Sequence, residues 1–273
     1  MAIGLRHGWV VSLLLVLTLA LIAYGQLWSP GKAPYSVHSD FVALHLGTKT
    51  ILYSALKQGQ GMPFWRPDIF SGYPAFTNPQ ALYTYPLHFL FYFRQPGDAL
   101  GGTLWLHFVA AAVAMYLAGQ ALGLGWWAKL LVAVAGLFNF KLLMAAYAGW
   151  LPPIAGIALF PLLFAATFHL AKNPGWKGML AVAAVGALCL HTGMLQYFYY
   201  ACLFLVAYIV SRAVGWARQK RWTTLRRFAA FLIPGMVLAA GVAAYLWLPL
   251  AGEARLVSRQ ASSYPFFISY HSL

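Results

Sequence analysis

The sequence predicts an all-α polytopic membrane protein with about seven transmembrane helices and one large first loop. Three observations predict it. Only 8% of the residues are charged while 62% are hydrophobic, against roughly 25% charged in a soluble domain. The apolar residues gather in runs near the length, about 20 residues, that a membrane-crossing helix needs. The basic residues fall in short segments between those runs, where they orient a protein in the bilayer. A net charge of +14 points to nucleic acid only when basic residues cluster on a soluble face, so no nucleic-acid partner is expected.

The runs are 9–27, 99–122, 128–148, 150–171, 178–191, 195–214 and 228–250. The first follows Arg6 and His7 and also fits a signal peptide. No small-residue cleavage site follows it, however, and Tyr24, Gln26, Leu27 and Trp28 suit an interfacial end. The fifth is short and could continue through 192–194. With a cytoplasmic N-terminus, the inner loops receive Arg6, Lys129, Lys172, Lys177, Arg212, Arg218, Lys220, Arg221, Arg226 and Arg227, the arrangement the positive-inside rule favours. The stretch 212–227 reads as a topology anchor or as an anionic-lipid site. Cys189 and Cys202 lie in apolar runs and read as small buried hydrophobes. Lys141 falls mid-span, where a lysine costs about 2.5–3.5 kcal/mol. It either snorkels or faces a polar cavity with Asn139.

Residues 1–273 then form a single membrane domain. Seven crossings put a first loop, 28–98, and a tail, 251–273, on the outer face of a cytoplasmic (inner) membrane. The tail ends without a polar terminus or a closing helix, as if the chain were truncated within an outer loop. All four acidic residues, Asp40, Asp68, Asp98 and Glu253, fall on that outer side.

A loop of about 70 residues is far longer than ordinary connections and is functional or independently folded. Its first part reads as an interfacial helix. Ser39 and Asp40 are good N-cap types, Phe41, Leu44, Thr48, Ile51, Leu52 and Ala55 follow at helical spacing, and Gly59 and Gly61 end it. His38, His45 and Lys49 share one stripe of that helix. The second part, 62–86, carries prolines that forbid a continuous helix and many Trp, Tyr and Phe residues. It reads as a rigid aromatic wall, including Trp65 and Tyr73, studded with Arg66, Asp68, Asn78 and Gln80. Such a wall could stack on sugar rings and bind hydroxyls, or be an interfacial aromatic belt. Asp98 precedes the second span as a helix N-cap.

Several segments resemble the YfhO family of bacterial membrane proteins, within the polytopic GT-C glycosyltransferases. They are Ser39-Asp40, Pro63-Phe64-Trp65-Arg66-Pro67, Phe70-Ser71-Gly72-Tyr73-Pro74, Asn78-Pro79-Gln80, Tyr85-Pro86, His191-Thr192-Gly193-Met194-Leu195-Gln196-Tyr197, Leu248-Pro249 through Glu253, and Ser258-Arg259. The resemblance implies a seven-span module that takes a polyprenyl-phosphate-linked sugar donor and acts on an envelope polymer or lipid acceptor. It implies an early acidic residue of the first loop, here Asp40, as the catalytic or metal-associated group. Asp40 lacks the adjacent second acid of many GT-C members, which leaves dependence on a divalent cation, Mg or Mn, open. Family members continue through further spans, so the chain resembles an N-terminal module.

Sugar transfer needs a base at the acceptor hydroxyl and cations or donors at the leaving phosphate. Asp40 fits the first role. Lys49, Arg66 and Arg259 are candidates for the second, arginine having the better fork geometry. Glu253 could bind sugar, orient the base or join Asp40 around a divalent ion; a pairing with Arg255 is its plainer reading. Asp68 pairs with Arg66, caps a turn or binds substrate. His191, near Gln196, makes a structural hydrogen bond or a donor contact. The expected function is a membrane glycosyltransferase module. The alternatives are a transporter or flippase for lipid-linked sugars and a non-catalytic membrane assembly module.

Overall fold

The computed structural model describes residues 8–33, 36–69 and 71–253. It is a helical bundle capped at one end by the first loop. The described helices are α1 (Gly8–Tyr24), α2 (Leu46–Lys57), α3 (Leu90–Phe93), α4 (Pro96–Leu122), α5 (Trp126–Leu137), α6 (Phe140–Ala148), α7 (Leu151–Lys172), α8 (Trp176–Leu190), α9 (Leu195–Arg218) and α10 (Trp222–Glu253). A π-helical turn, Phe41–His45, leads into α2, and a two-stranded antiparallel ribbon pairs β1 (Trp65–Arg66) with β2 (Tyr73–Pro74).

Among the described residues six segments are long and apolar enough to cross a membrane: Gly8–Trp28, Pro96–Leu122, Trp126–Ala148, Leu151–Lys172, Leu195–Arg218 and Trp222–Gly252. The chain is therefore a multi-pass membrane protein. Leu14, Ile22, Phe204, Val237 and Leu248 stand exposed on the outside of these helices, as lipid-facing side chains do. α1 buries only Ser12, Val16 and Ala20, a stripe at four-residue spacing through which small residues let helices approach closely.

α8 has 15 residues, or about 22 Å at 1.5 Å per residue, short of a hydrocarbon core of about 30 Å. It still carries the chain to the loop end, because Gly193 beyond it lies against the backbone of Pro79 and Gln80. Phe41, Leu82, Tyr85, Leu90 and Phe91 of the loop share one buried core with residues of α1, α4, α5, α6, α7, α8 and α9. The loop is thus packed into the bundle end and does not form a core of its own apart from the small cluster around Leu52, Ala75, Ala81 and Tyr83.

The structure corrects several details of the sequence reading. The run 128–148 lies within one candidate span but is built of two half-helices rather than one continuous helix. Phe138 leaves helical geometry, and Asn139 restarts it by accepting a hydrogen bond from Leu142 N at 3.0 Å. Asp98 is not the cap of α4. Pro96 opens that helix two residues earlier with Gln95 in the cap position, leaving Asp98 in the first turn, where a carboxylate favours the helix dipole. The tail from 254 onward, including Arg255, Ser258 and Arg259, lies outside the described residues, as do Phe70 and the Glu253 side chain.

Close helix approach depends on glycine at defined places. A Cβ on Gly101 would sit 1.9 Å from the Leu27 carbonyl oxygen, whereas one on Gly241 would meet nothing within 4 Å. Glycine to alanine inside a helix ordinarily stabilises by about 0.5–1 kcal/mol. Gly101→Ala is therefore expected to lower stability by about 1–3 kcal/mol, the range of overpacked sites, while Gly241→Ala holds or raises it. Unfolding in detergent micelles measures both; equal behaviour of the two variants would contradict this packing of the turn after α1, at Leu27, on α4.

Candidate functional site

Asp40 enters the π turn already in helical backbone conformation, with φ −61° and ψ −24°, and its side chain caps nothing. The reading of Ser39 and Asp40 as N-cap residues is corrected accordingly. A preceding turn, closed by Ser39 N donating to Ser36 O at 3.0 Å, brings the chain in without the extended residue that a cap requires. The Ser39 hydroxyl is buried and finds no partner among the described residues. π turns inside helices are found frequently at functional sites. Among the described residues the one ion pair is Arg66–Asp68, so no described cation neutralises Asp40.

Asp40 lines an open groove of about 270 Å³ with Ser36, His38, Ser39, Tyr147, Ala148 and Trp150. Small-molecule sites start near about 300 Å³, so the groove is the size of one ring-like group. Its far wall is the turn between α6 and α7. A Cβ on Gly149 in that turn would lie 2.5 Å from Phe41 N, which fixes how closely the turn approaches Asp40. Lys141, in the first turn of α6, lies with Nζ 5.9 Å from the Trp150 ring. Its stem extends toward the loop end, as a snorkelling lysine does, while Asn139 serves as the cap of α6 rather than as the wall of a cavity. Sequence reasoning left Lys141 without a site. Its signal was the Asn139 break, which starts a new helix pointing at Trp150.

The remaining candidates fall in other places. Arg66 is buried and gives two hydrogen bonds to Asp68, Nε to Oδ1 at 2.9 Å and Nη2 to Oδ2 at 2.5 Å, and one to Thr48 Oγ1 at 2.5 Å. The guanidinium holds the Asp68 carboxyl below the usual carboxylate range. Its face lies 5.8 Å from the Tyr73 ring, and Trp65 beside it is exposed. Thr48 follows Asp40 by eight residues, about 12 Å along a helix axis, so this ribbon cluster stands apart from the groove. Asn78 caps a 3₁₀ turn, accepting from Gln80 N at 3.0 Å, while the Gln80 side chain is exposed. His191 Nδ1 donates to Ala187 O at 2.7 Å, which leaves Nε2 to accept from Tyr245 OH at 2.8 Å. Gln196 donates to Tyr200 OH at 3.0 Å.

Lys49 is fully buried, not aligned with an exposed stripe. Its Nζ donates to Ala81 O at 2.8 Å and Leu82 O at 3.3 Å and lies 5.0 Å from the Phe91 ring. His45 and His88 are buried beside it, whereas His38 is exposed. His88 finds no partner for either ring nitrogen among the described residues. Burial pulls the Lys49 ammonium down to about 7. Burial, then the nearby Lys49 charge, pulls His45 down to about 3. Among the described residues no three His, Cys, Asp or Glu side chains converge to hold a metal ion. A cation on Asp40 would need a second carboxylate, and the candidate for it, Glu253, has its side chain outside the described residues.

No protein-family model, curated protein or solved structure matches this chain. The likeness to the YfhO family rests on the quoted motifs alone.

Both lowered groups tie stability to pH with the same sign. Each binds its proton more weakly when folded than when unfolded, so stability rises with pH wherever the unfolded chain holds the extra proton. For Lys49 that window runs from about 7 to its unfolded value of about 10.4. For His45 it runs from about 3 to about 6.5. Thermal unfolding in micelles is expected to improve from pH 7 to 10, and Lys49→Met is expected to flatten that limb. A wild-type curve already flat across it would contradict a buried, unneutralised ammonium.

Proposed function

We propose that this chain is the glycosyltransferase module of an envelope sugar-transfer system, working at the loop end of the bundle on a lipid-linked donor. The observation that carries the reading is Asp40: a carboxylate without a described cationic partner, in an open, aromatic-walled groove. On this reading the loop end faces outward from the cytoplasmic membrane and the N-terminus lies in the cytoplasm. The YfhO-like motifs support the same direction.

The chemistry follows from the groove. Asp40 accepts the proton of an acceptor hydroxyl, and the resulting oxygen attacks the anomeric carbon of the donor sugar. The bond from that carbon to the phosphate oxygen breaks, and the lipid phosphate leaves with the electron pair. Lys141 supplies positive charge for that phosphate from the lipid side of Trp150, where a polyprenyl chain would lie. Tyr147 and Trp150 offer ring faces to the sugar. Arg66, committed to Asp68 and Thr48, holds the ribbon against α2.

A second reading, a flippase for lipid-linked sugars, draws on one observation, the break between α5 and α6 with Asn139 and Lys141 beside it. Broken helices mark the sites of many transporters. Product analysis separates the two readings, since transfer forms a new glycosidic bond and flipping does not.

In membranes supplied with polyprenyl-phosphate sugar and acceptor, Asp40→Asn is expected to lower kcat by about 10²–10⁴-fold, the contribution of a positioned base. Lys141→Met is expected to raise the donor KM about tenfold, as loss of one charge-assisted contact would. Undiminished transfer by folded Asp40→Asn protein would remove Asp40 from the mechanism.

A further inference from the structure

A second, larger groove lies at the other end of the bundle. It is a groove of about 1060 Å³ between α1, α4 and α5. Lys129, Gln120 and Trp126 line it near the ends of α4 and α5, with Ser12 and Tyr116 a turn further in. Its inner part is apolar, closed by Val16 and Ala112. From Gly8 to Val16 on α1, and from Ala112 to Gln120 on α4, the depth is eight residues. That is about 12 Å, close to half of a hydrocarbon core of about 30 Å. A groove of that depth is about as long as one leaflet is thick.

The charge at the mouth has one sign. Lys129 lies with Nζ 5.2 Å from the Tyr116 ring, and none of the four acidic residues lines the groove. The Trp126 indole does not compete for a ligand, because it donates to Gly8 O at 3.1 Å and Ser12 Oγ at 2.9 Å. Lys172 reaches the same end of α4, donating to Ala121 O at 2.5 Å. A cation at the interface above an apolar slot one leaflet deep fits an amphiphile with an anionic head, and basic pockets between membrane helices bind such headgroups.

We propose that this groove is a binding site for one anionic phospholipid of the leaflet opposite the loop. Its acyl chain fills the slot between α1 and α4, and its phosphate meets Lys129 and Gln120. The lipid acts as a wedge that seats α1, whose own buried stripe is narrow.

The test is native mass spectrometry of the whole chain released from mild detergent, after reconstitution with equal parts phosphatidylglycerol and phosphatidylcholine. One retained phosphatidylglycerol per chain is expected. Lys129→Glu should lower its retention at least fivefold, and Val113→Trp, which fills the slot, should expel it. Lys220→Glu, a charge reversal at the same end outside the groove, should change nothing. Equal retention of the two lipids, or loss that is the same in Lys220→Glu as in Lys129→Glu, would overturn the proposal in favour of ordinary annular lipid. Circular dichroism of each variant separates loss of lipid from loss of fold.

Discussion

Lys49 places an ammonium group in the base of the loop with carbonyls and rings around it rather than a carboxylate. Its hydrogen bonds reach Ala81 O and Leu82 O, and the Phe91 ring covers another side. Those acceptors belong to the returning limb of the loop, so one side chain of α2 binds two distant stretches of chain. Leu82 is held at φ +52°, a conformation uncommon for residues other than glycine, and its carbonyl is one of the two that Lys49 engages. The loop's shape therefore depends on a polar contact that water would readily dissolve at a surface. Packing against the bundle keeps water out, and the contact in turn keeps the loop on the bundle.

The groove follows from this docking. α2 and the π turn before it are fixed from three sides: by Lys49 to the returning limb, by Arg66 to the ribbon, and by the glycine turn between α6 and α7. A further hydrogen-bonded chain anchors the returning limb itself. Tyr85 OH donates to His107 Nε2 at 3.1 Å, and His107 Nδ1 donates to Thr103 O at 2.7 Å inside α4. Asp40 sits at the end of α2 that these braces leave open. Its carboxylate is exposed to the groove because the turn at 36–39 delivers the chain in helical geometry, and no backbone N–H is left for it to cap.

Among the described residues, six of the seven runs were legible as spans because lipid imposes a strict length and polarity on a helix, while the run 178–191 falls in the shorter helix α8. The loop helix was legible too, from its apolar spacing and from Gly59, which ends it at φ +71°. What periodicity could not show was which polar residues turn inward. His45 and Lys49 look like the wet side of an interfacial helix, yet they are buried, and the carbonyls that receive the Lys49 ammonium belong to Ala81 and Leu82, more than thirty positions away. The break at Asn139 was hidden for a related reason. Apolar residues on both sides satisfy the same hydropathy window, and a single cap residue is a weak signal beside it. Of the candidate site, Asp40 could be picked out by its rarity as a carboxylate. Tyr147 and Trp150 could not, since only the folded turn between α6 and α7 brings them to it, with Lys141 near the Trp150 ring.

The central claim is that Asp40 opens to water at the end of the bundle opposite the basic segment around Lys220. Single cysteines at these two positions, Asp40→Cys and Lys220→Cys, can be labelled in sealed vesicles with a membrane-impermeant maleimide. Native Cys189 is buried and Cys202 half-buried, so background labelling is low. The account predicts that the two positions react from opposite sides of the membrane. Reaction of both from one side, or an Asp40→Cys thiol that no impermeant reagent reaches from either side, would contradict it.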